Sequence, residues 1–357
     1  MIQLTLPAAS AASQSFVTRL SEGALVSPAD SQFVSTDAGS SLWCGAHGLF
    51  EIDHDGEHIG GDVVLIDPKA GRADRLIRAR SSHNTLLVTE QCDQLCVMCS
   101  QPPKKTHEDR FDFFEEACLL APEGQTIGVS GGEPMLHSER LLEMVERVLL
   151  DRRDLQFHIL TNAQHFRREH VDRFRNSIYK RVVWGIPIYS ADPTVHDAVV
   201  AKPGAFEILM ESFRNLLVSG ARIELRTVLT KTTVDGLDEL SRFVALNLQF
   251  VEQWSLMGLE NIGFARNRWD ELHFDIAAGF EPIGLAIDRS TLFGIATRLF
   301  NIPLCLLPAE FRSYAIASIS DWKQRFGPAC DQCSAKTDCS GFFEWHPDEL
   351  VDGVTPL

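Results

Sequence analysis

From about residue 84 the chain alternates short apolar segments with amphipathic segments, six times in succession. The apolar segments are rich in β-branched residues, which is typical of buried parallel strands. The intervening segments place apolar residues three and four positions apart, which predicts helices. One such helix runs from Phe206 to an expected C-cap at Gly220, and Ser138 is expected to cap another at its N-terminus. The six predicted strands are NTLLVTEQ, QTIGVSGG, LQFHILTN, VVWGIPIYS, ARIELRTVLT and QFVEQWSLMG.

Six strand and helix units joined by right-handed crossovers predict an α/β fold. We expect a partial (β/α)6 TIM-like barrel over residues 84–265, with its active site at the carboxyl ends of the strands. Residues 1–83 are predicted to form a small, β-rich N-terminal extension, in which VVLIDP from Val63 is the clearest strand. Residues 266–357 form a C-terminal region. These boundaries follow from changes in the pattern alone.

The composition of the 357 residues is that of a globular protein, with 45% hydrophobic and 23% charged residues. No apolar run approaches the roughly 20 residues that a membrane helix needs, so no membrane partner is expected. The first residues lack the basic start and apolar stretch of a secretory signal, which favours the cytoplasm. A formal net charge of -16 argues against nucleic acid as a partner, because such binding depends on clustered lysine and arginine.

Cysteine spacing gives the first indication of chemistry. The chain has nine cysteines, and three of them form a C-x3-C-x2-C run directly after the first predicted strand, at Cys92, Cys96 and Cys99. Thiolates are soft ligands suited to iron-sulfur clusters. Three cysteines on a [4Fe-4S] cluster leave one iron without a protein ligand, open to the amine and carboxylate of S-adenosylmethionine (SAM). The alternative is a zinc knuckle with a fourth ligand, for which His107 is the nearest candidate.

A second motif follows the second predicted strand, where Ser130 precedes the sequence Gly131-Gly132-Glu133-Pro134. Two glycines allow the backbone to approach a ligand closely, and Glu133 offers an acceptor for an ammonium group. By itself such a sequence is more often an ordinary turn. One strand after a C-x3-C-x2-C run, it is highly specific.

In the order of these motifs the chain resembles the radical SAM superfamily over residues 84–258. The resemblance implies that the enzyme cleaves SAM reductively and that Gly131, Gly132 and Glu133 hold the methionine amine. Thr161-Asn162 resembles a Thr-Asn-Gly motif, with Ala163 in the glycine position. The other residues that the resemblance assigns to SAM are Met98, expected near the adenine, and Ser190 and Arg226, which often contact the ribose or carboxylate. For Ser190 and Arg226 a polar barrel rim and a structural ion pair are equally good explanations.

Four further cysteines lie in the C-terminal region, at Cys305, Cys330, Cys333 and Cys339. They could bind a second iron-sulfur cluster or a structural zinc ion. Ligand softness and the presence of the first cluster favour an auxiliary [4Fe-4S] cluster, and Cys305 is a better fourth ligand than His346. The region resembles the twitch or SPASM-like extensions of radical SAM enzymes that modify peptides.

More narrowly, the LLVTEQCDQLCVMCSQPPKK segment and the tail from IPLCLLP to CSGFF resemble His-Xaa-Ser-system radical SAM maturases of the C type. That resemblance implies a ribosomally made peptide with His-Xaa-Ser repeats as substrate. It also implies a partner maturase, and the chemistry requires a reductase, flavodoxin or ferredoxin as electron donor. The expected enzyme generates a 5'-deoxyadenosyl radical to modify the peptide. The alternatives are a radical SAM enzyme that acts on another protein or a small molecule, a zinc-stabilised binding module, and an iron-sulfur electron carrier.

Overall fold

The computed structural model describes residues 2–357. By compactness the chain divides into two units. The first comprises the residues up to Thr89 with 108–130 and 137–158, and the second comprises 90–107, 131–136 and 159–357. The three regions expected from sequence remain a prediction. Among the described residues, no helix combines the length and apolar character needed to span a lipid bilayer.

Seven strands come first along the chain: β1 (Thr5–Ser10), β2 (Phe16–Ser21), β3 (Asp30–Asp37), β4 (Ser40–Gly45), β5 (Gly48–Asp53), β6 (Val63–Asp67) and β7 (Arg72–Ile77). They form a closed barrel in the order β1-β5-β4-β3-β2-β6-β7. The pairs are antiparallel except for β2 and β3. Alternate side chains fill the interior, where Trp43 and Phe50 are almost inaccessible to solvent. The predicted VVLIDP strand is β6.

The next eight strands are β8 (Asn84–Thr89), β9 (Thr126–Gly131), β10 (Gln156–Leu160), β11 (Val182–Pro187), β12 (Arg222–Val228), β13 (Gln253–Met257), β14 (Ala296–Phe300) and β15 (Ala315–Ile316). They form one sheet in the order β15-β14-β13-β12-β11-β10-β9-β8, and the pairs from β11 to β15 are parallel. The six predicted strands are present as β8 to β13. Strands β14 and β15 extend the sheet beyond them, and over residues 2–357 only the first sheet closes on itself. Its curvature into a partial TIM-like barrel remains a prediction.

A short antiparallel ribbon follows in the C-terminal region, made of β16 (Gln324–Arg325) and β17 (Phe342–Phe343). The helices are α1 (Phe111–Leu119), α2 (Ser138–Asp151), α3 (His170–Phe174), α4 (Pro193–Val200), α5 (Ala205–Ser219), α6 (Lys231–Asp235), α7 (Leu237–Asn247), α8 (Phe264–Asn267), α9 (Trp269–Leu272), α10 (Glu281–Leu292) and α11 (Asp348–Asp352). The architecture is thus a mixed α/β fold.

The predicted helix ends can be checked in α5 and α2. Gly220 ends α5 in the left-handed conformation, with φ +69°, as expected of a glycine C-cap. The prediction for Ser138 was wrong. Ser138 is the first residue of α2 and makes no capping hydrogen bond, because a turn over Pro134–His137 leads directly into the helix.

Strands β12, β13 and β14 have two different faces. On one face the hydroxyls of Ser290, on α10, and Thr297, on β14, lie 2.5 Å apart, and Trp254 Nε1 donates to Thr227 Oγ1 at 3.0 Å. The side chains on this helix-covered face are fully buried. We call the opposite side the open face, because most of its residues are partly exposed: Arg222, Arg226, Val228, Gln253, Met257, Arg298 and Phe300.

Candidate active site

The first cysteine group lies on a loop in the second unit, immediately after β8. Main-chain hydrogen bonds attach this loop to the C-terminal end of α4, from Leu95 N to Val200 O at 3.2 Å and from Val97 N to Val199 O at 2.9 Å. These bonds hold the stretch between the cysteines in a defined shape. The three thiols it carries are all partly exposed: Cys92, Cys96 and Cys99.

The thiols of this loop are poor acids in their surroundings. Burial raises the pKa of Cys92 to about 11 and that of Cys96 to about 12, and it raises the pKa of Cys99 as well. Metal binding requires thiolates, so cationic iron has to supply the charge that stabilises them. A donor set of three adjacent soft thiols fits an iron-sulfur cluster.

The two glycines of the second motif are needed for packing against the cysteine loop. Gly131 has φ +150°, which side-chain-bearing residues rarely adopt. A Cβ at Gly132 would lie 2.5 Å from the carbonyl carbon of Gln91 and 3.0 Å from Cys92 Cβ. Glu133 N donates to Gln91 O at 2.7 Å. The turn is therefore built directly against the start of the cysteine loop.

The Glu133 carboxylate is completely buried and already has three donors. Its Oε1 accepts from Thr161 Oγ1 at 2.7 Å and from Met135 N at 2.8 Å, and its Oε2 accepts from Asn162 N at 2.5 Å. Burial raises the pKa of Glu133 to about 7, while the three donors favour the ionised form. The sequence predicts an ammonium contact here, but in this structure the carboxylate joins two loops.

Asn162 extends the connection from Glu133 to the cysteine loop. Its Nδ2 donates to Asp93 Oδ1 at 2.7 Å and lies 3.9 Å from Cys92 Sγ. The next residue, Ala163, has φ +58°, a left-handed conformation that explains why glycine is usual at this position of the motif. The cysteine, glycine and Thr161-Asn162 loops are therefore hydrogen-bonded into one assembly.

Sequence reasoning missed three residues that support this assembly. Asp93 Oδ2 accepts from Lys202 Nζ at 2.5 Å and lies 3.3 Å from His165 Nε2. Burial acts to raise the pKa of Asp93, but hydrogen bonds from His165, Lys202 and Asn162 hold it well below its usual range. The sequence does place the Asp93 carboxylate between Cys92 and Cys96, and this position could have indicated a supporting role. Its partners His165 and Lys202 are too distant in sequence to be recognised from the pattern.

The other residues assigned to SAM occupy different surroundings. Met98 is buried in an apolar cluster with Tyr189 and Val199. Ser190 is buried, and its Oγ accepts from Asp192 N at 3.0 Å, which shapes the turn before α4. Arg226 lies on the open face of β12. Its Nη1 donates to both carboxylate oxygens of Glu224, at 3.0 and 3.2 Å, which is the structural ion pair considered above.

The C-terminal cysteines come together although 24 residues separate Cys305 from Cys330. Apolar residues including Phe326 and Phe342 share the cavity that all four cysteines line. Cys339 Sγ accepts main-chain hydrogen bonds from Leu304 and Gly341, both at 3.4 Å. Burial raises the pKa of Cys305 to about 11. The cavity-lining cysteines are Cys305, Cys330, Cys333 and Cys339.

His346, the competing ligand, has different neighbours. Its ring stacks on Phe343 at 5.5 Å between centroids and meets Trp269 edge to face, also at 5.5 Å. Burial lowers the pKa of His346 to about 4. Over residues 2–357, no three His, Cys, Asp or Glu side chains converge closely enough to hold a single metal ion.

Residues 86–244 match the family model described as the Radical SAM superfamily. This part of the chain is similar to radical SAM domains. This match includes the cysteine loop, the glycine turn, Thr161-Asn162, Ser190 and Arg226, whereas the C-terminal cysteines lie outside it. No curated protein matches the chain.

Several solved structures have folds similar to that of this chain. Native anSMEcpe with bound AdoMet is 12% identical with a TM-score of 0.50, covering 60% of this chain and 63% of that chain. Streptococcus suis SuiB bound to S-adenosylmethionine is 16% identical, TM-score 0.49, covering 60% and 49%. A radical SAM methyltransferase from Sphaerobacter thermophilus is 17% identical, TM-score 0.46, covering 75% and 76%. The chain thus spans about half the length of SuiB, and the likeness to anSMEcpe concerns the fold alone.

Proposed function

We propose that this protein is a radical SAM enzyme that cleaves SAM reductively and uses the resulting 5'-deoxyadenosyl radical to modify a ribosomally made peptide. One observation carries the proposal. Three loops that the sequence assigns to cluster and SAM binding are joined by the hydrogen bonds of Glu133, Asn162 and Asp93. When bound, the [4Fe-4S] cluster supplies the electron for cleavage and an open iron for SAM.

The residues of the three loops have distinct proposed roles. The three loop cysteines would hold the cluster, and the glycine turn would receive the methionine end of SAM. Met98 would lie near the adenine, and Thr161, Asn162, Ser190 and Arg226 would complete the SAM site. Glu133 is 0% exposed, so its first role is to align the loops. An ammonium contact would require one of its oxygens to become accessible.

The substrate and partners rest on sequence resemblance. The proposed substrate is a peptide with His-Xaa-Ser repeats, handled with a partner maturase and a reductase, flavodoxin or ferredoxin. We further propose a cytoplasmic protein that does not bind nucleic acid. Its proposed regions are an extension over 1–83, a partial (β/α)6 barrel over 84–265 and an auxiliary-cluster region over 266–357. The barrel walls would exclude water and competing hydrogen donors from the radical.

For the C-terminal cysteines we propose an auxiliary [4Fe-4S] cluster. A zinc ion requires four ligands at about 2.0 to 2.3 Å from one point. A cluster binds each thiolate at a different iron, so its cysteines stand further apart. The grouping of four cysteines around one cavity supplies the four thiolates that a closed cluster requires, and the softness of these ligands favours iron-sulfur over zinc.

The first experiment tests SAM cleavage. Protein purified and reconstituted without oxygen should be brown and should form 5'-deoxyadenosine with dithionite and SAM. Replacing Cys92, Cys96 or Cys99 with Ala should abolish product, because each would hold one of four irons. Cys44→Ala is the matched control, since Cys44 is exposed on β4 and outside both groups. A colourless zinc protein, or full product from a loop variant, would refute the enzyme.

The second experiment tests the auxiliary cluster in a background that lacks the three loop cysteines. We expect residual iron and an electron paramagnetic resonance signal that Cys305→Ala removes and His346→Ala preserves. The reverse result would make His346 the ligand.

The substrate class is tested separately. Formation of a modified small molecule, with no modification of His-Xaa-Ser peptides, would favour the small-molecule alternative.

A further inference from the structure

The open face of the sheet carries two arginines at the same level. Arg226 on β12 lies opposite Ser255 on β13, and Ser255 lies opposite Arg298 on β14. Residues opposite each other in neighbouring parallel strands point to the same face, and two strand spacings separate the arginine backbones by about 9 to 10 Å. Both guanidiniums are partly exposed on this face.

The two arginines differ in their partners. Glu224 forms an ion pair with Arg226 and also accepts hydrogen bonds from Ser255 Oγ and, at 3.5 Å, from Gln253 Nε2. Arg298 donates from Nη1 to the Thr297 carbonyl at 3.1 Å. In the part of the chain that the structure describes, its guanidinium has no carboxylate partner. The row therefore carries an unbalanced positive charge in a chain whose net charge is -16.

The surroundings of this charge restrict its ligand. Val228, Met257 and Phe300 form the next row of the same face, opposite one another and two residues closer to the carboxyl ends of the strands. Two residues of strand correspond to about 6 to 7 Å. A group that approaches from this edge must pass apolar side chains before it reaches the arginines. A carboxylate on an aliphatic stem has this shape, and a guanidinium binds a carboxylate with two parallel hydrogen bonds.

We infer that Arg298 binds the carboxylate of a glutamate side chain in the peptide substrate, while Arg226 stays paired with Glu224. The inference rests on the proposed function, because it names a feature of the proposed substrate. SAM carries a carboxylate too and is the second source of the same chemistry. The two sources are separated by measuring peptide affinity and SAM affinity on the same variants.

The probes are two fluorescein-labelled, amidated peptides of four His-Ala-Ser repeats, one with glutamate and one with glutamine in place of a central alanine. Affinities are measured by fluorescence anisotropy with the reconstituted wild type and with the Arg298→Gln and Arg298→Lys variants. Arg242→Gln is the matched control, because Arg242 is exposed on α7 and pairs with Asp238. SAM affinity and 5'-deoxyadenosine formation are measured without peptide.

The wild type should bind the glutamate peptide at least about tenfold more tightly than the glutamine peptide. Arg298→Gln should reduce this ratio to about one without changing SAM affinity, while Arg242→Gln keeps the wild-type ratio. Arg298→Lys should keep part of the preference, which guards against a folding defect in the glutamine variant.

Three results would overturn the inference. The wild type could bind both peptides with equal affinity, it could bind neither peptide, or the preference for the glutamate peptide could survive in Arg298→Gln. A loss of SAM affinity with an unchanged peptide ratio would assign Arg298 to SAM instead. Failure of the proposed function is a separate result, seen as absence of 5'-deoxyadenosine from the wild type.

Discussion

Replacement of Glu133 distinguishes a loop-joining carboxylate from one that serves SAM alone. In Glu133→Ala the main-chain N-H groups of Met135, which is buried, and Asn162, which is half-buried, lose their acceptor. Each unpaired buried group costs about 1 to 3 kcal/mol. The Thr161 hydroxyl can rotate toward another acceptor, so the expected loss of unfolding free energy is about 2 to 6 kcal/mol.

Glu133→Gln keeps the size of the side chain and one acceptor oxygen. Its amide nitrogen must face a donor, either Asn162 N or the pair formed by Thr161 Oγ1 and Met135 N. One hydrogen bond is therefore replaced by a contact between two donors. We expect a loss of about 1 to 3 kcal/mol, smaller than for the alanine variant.

The same substitutions should also weaken cluster binding, because Asn162 connects Glu133 to Asp93 in the cysteine loop. Thermal unfolding of the cluster-free chain measures stability, and iron per chain after anaerobic reconstitution measures cluster retention. Both should decrease in the order wild type, Glu133→Gln, Glu133→Ala. Glu207→Ala is the control, since Glu207 is exposed on α5. Wild-type stability and iron content combined with weakened SAM binding would refute the loop-joining role.

Three further substitutions test other parts of the structure. Gly132→Ala should lower the iron content, because the added Cβ has no room beside the cysteine loop. Gly23→Ala should match the wild type, because nothing lies within 4 Å of a Cβ at that position. Equal iron content in the two variants would contradict the packing argument. Asp93→Ala should weaken iron retention by about 10-fold to 100-fold in a chelator titration, as loss of a supporting contact typically does, and wild-type retention would show that Asp93 is dispensable. Burial lowers the pKa of His196 from 6.5 to about 4, so the unfolded chain takes up a proton at a higher pH than the folded chain does. As the pH falls from 6.5 to about 4, the folded state therefore loses up to about 3 kcal/mol of stability. His196→Gln should reduce the difference in melting temperature between pH 7 and pH 5, and an unchanged difference would count against a depressed pKa.

Local sequence patterns were enough for the elements that obey local rules. Strands β8 to β13 are short apolar runs bounded by polar residues, and the left-handed end of α5 at Gly220 follows from the conformational freedom of glycine. The grouping of motifs also followed from sequence, because each motif comes directly after a strand. Strand β14 was missed since its residues, Ala296–Phe300, follow a helix whose apolar pattern continues into it. Ser138 was misassigned because the preceding turn already supplies the helical entry.

The partners of the charged residues depended on the tertiary structure. The spacing of the motifs predicted that Glu133 and the loop cysteines belong to one site, whereas Arg226 was assigned to it only by the family resemblance. It could not indicate that Glu133 is sealed by three donors or that Lys202 reaches Asp93 across 109 residues. Such contacts depend on which strands become neighbours and on their register, and a single side chain carries no signal of either. The sequence by itself therefore determined the elements and the donor types, whereas only the packed chain decided which charges are neutralised within the protein and which stay available to a ligand.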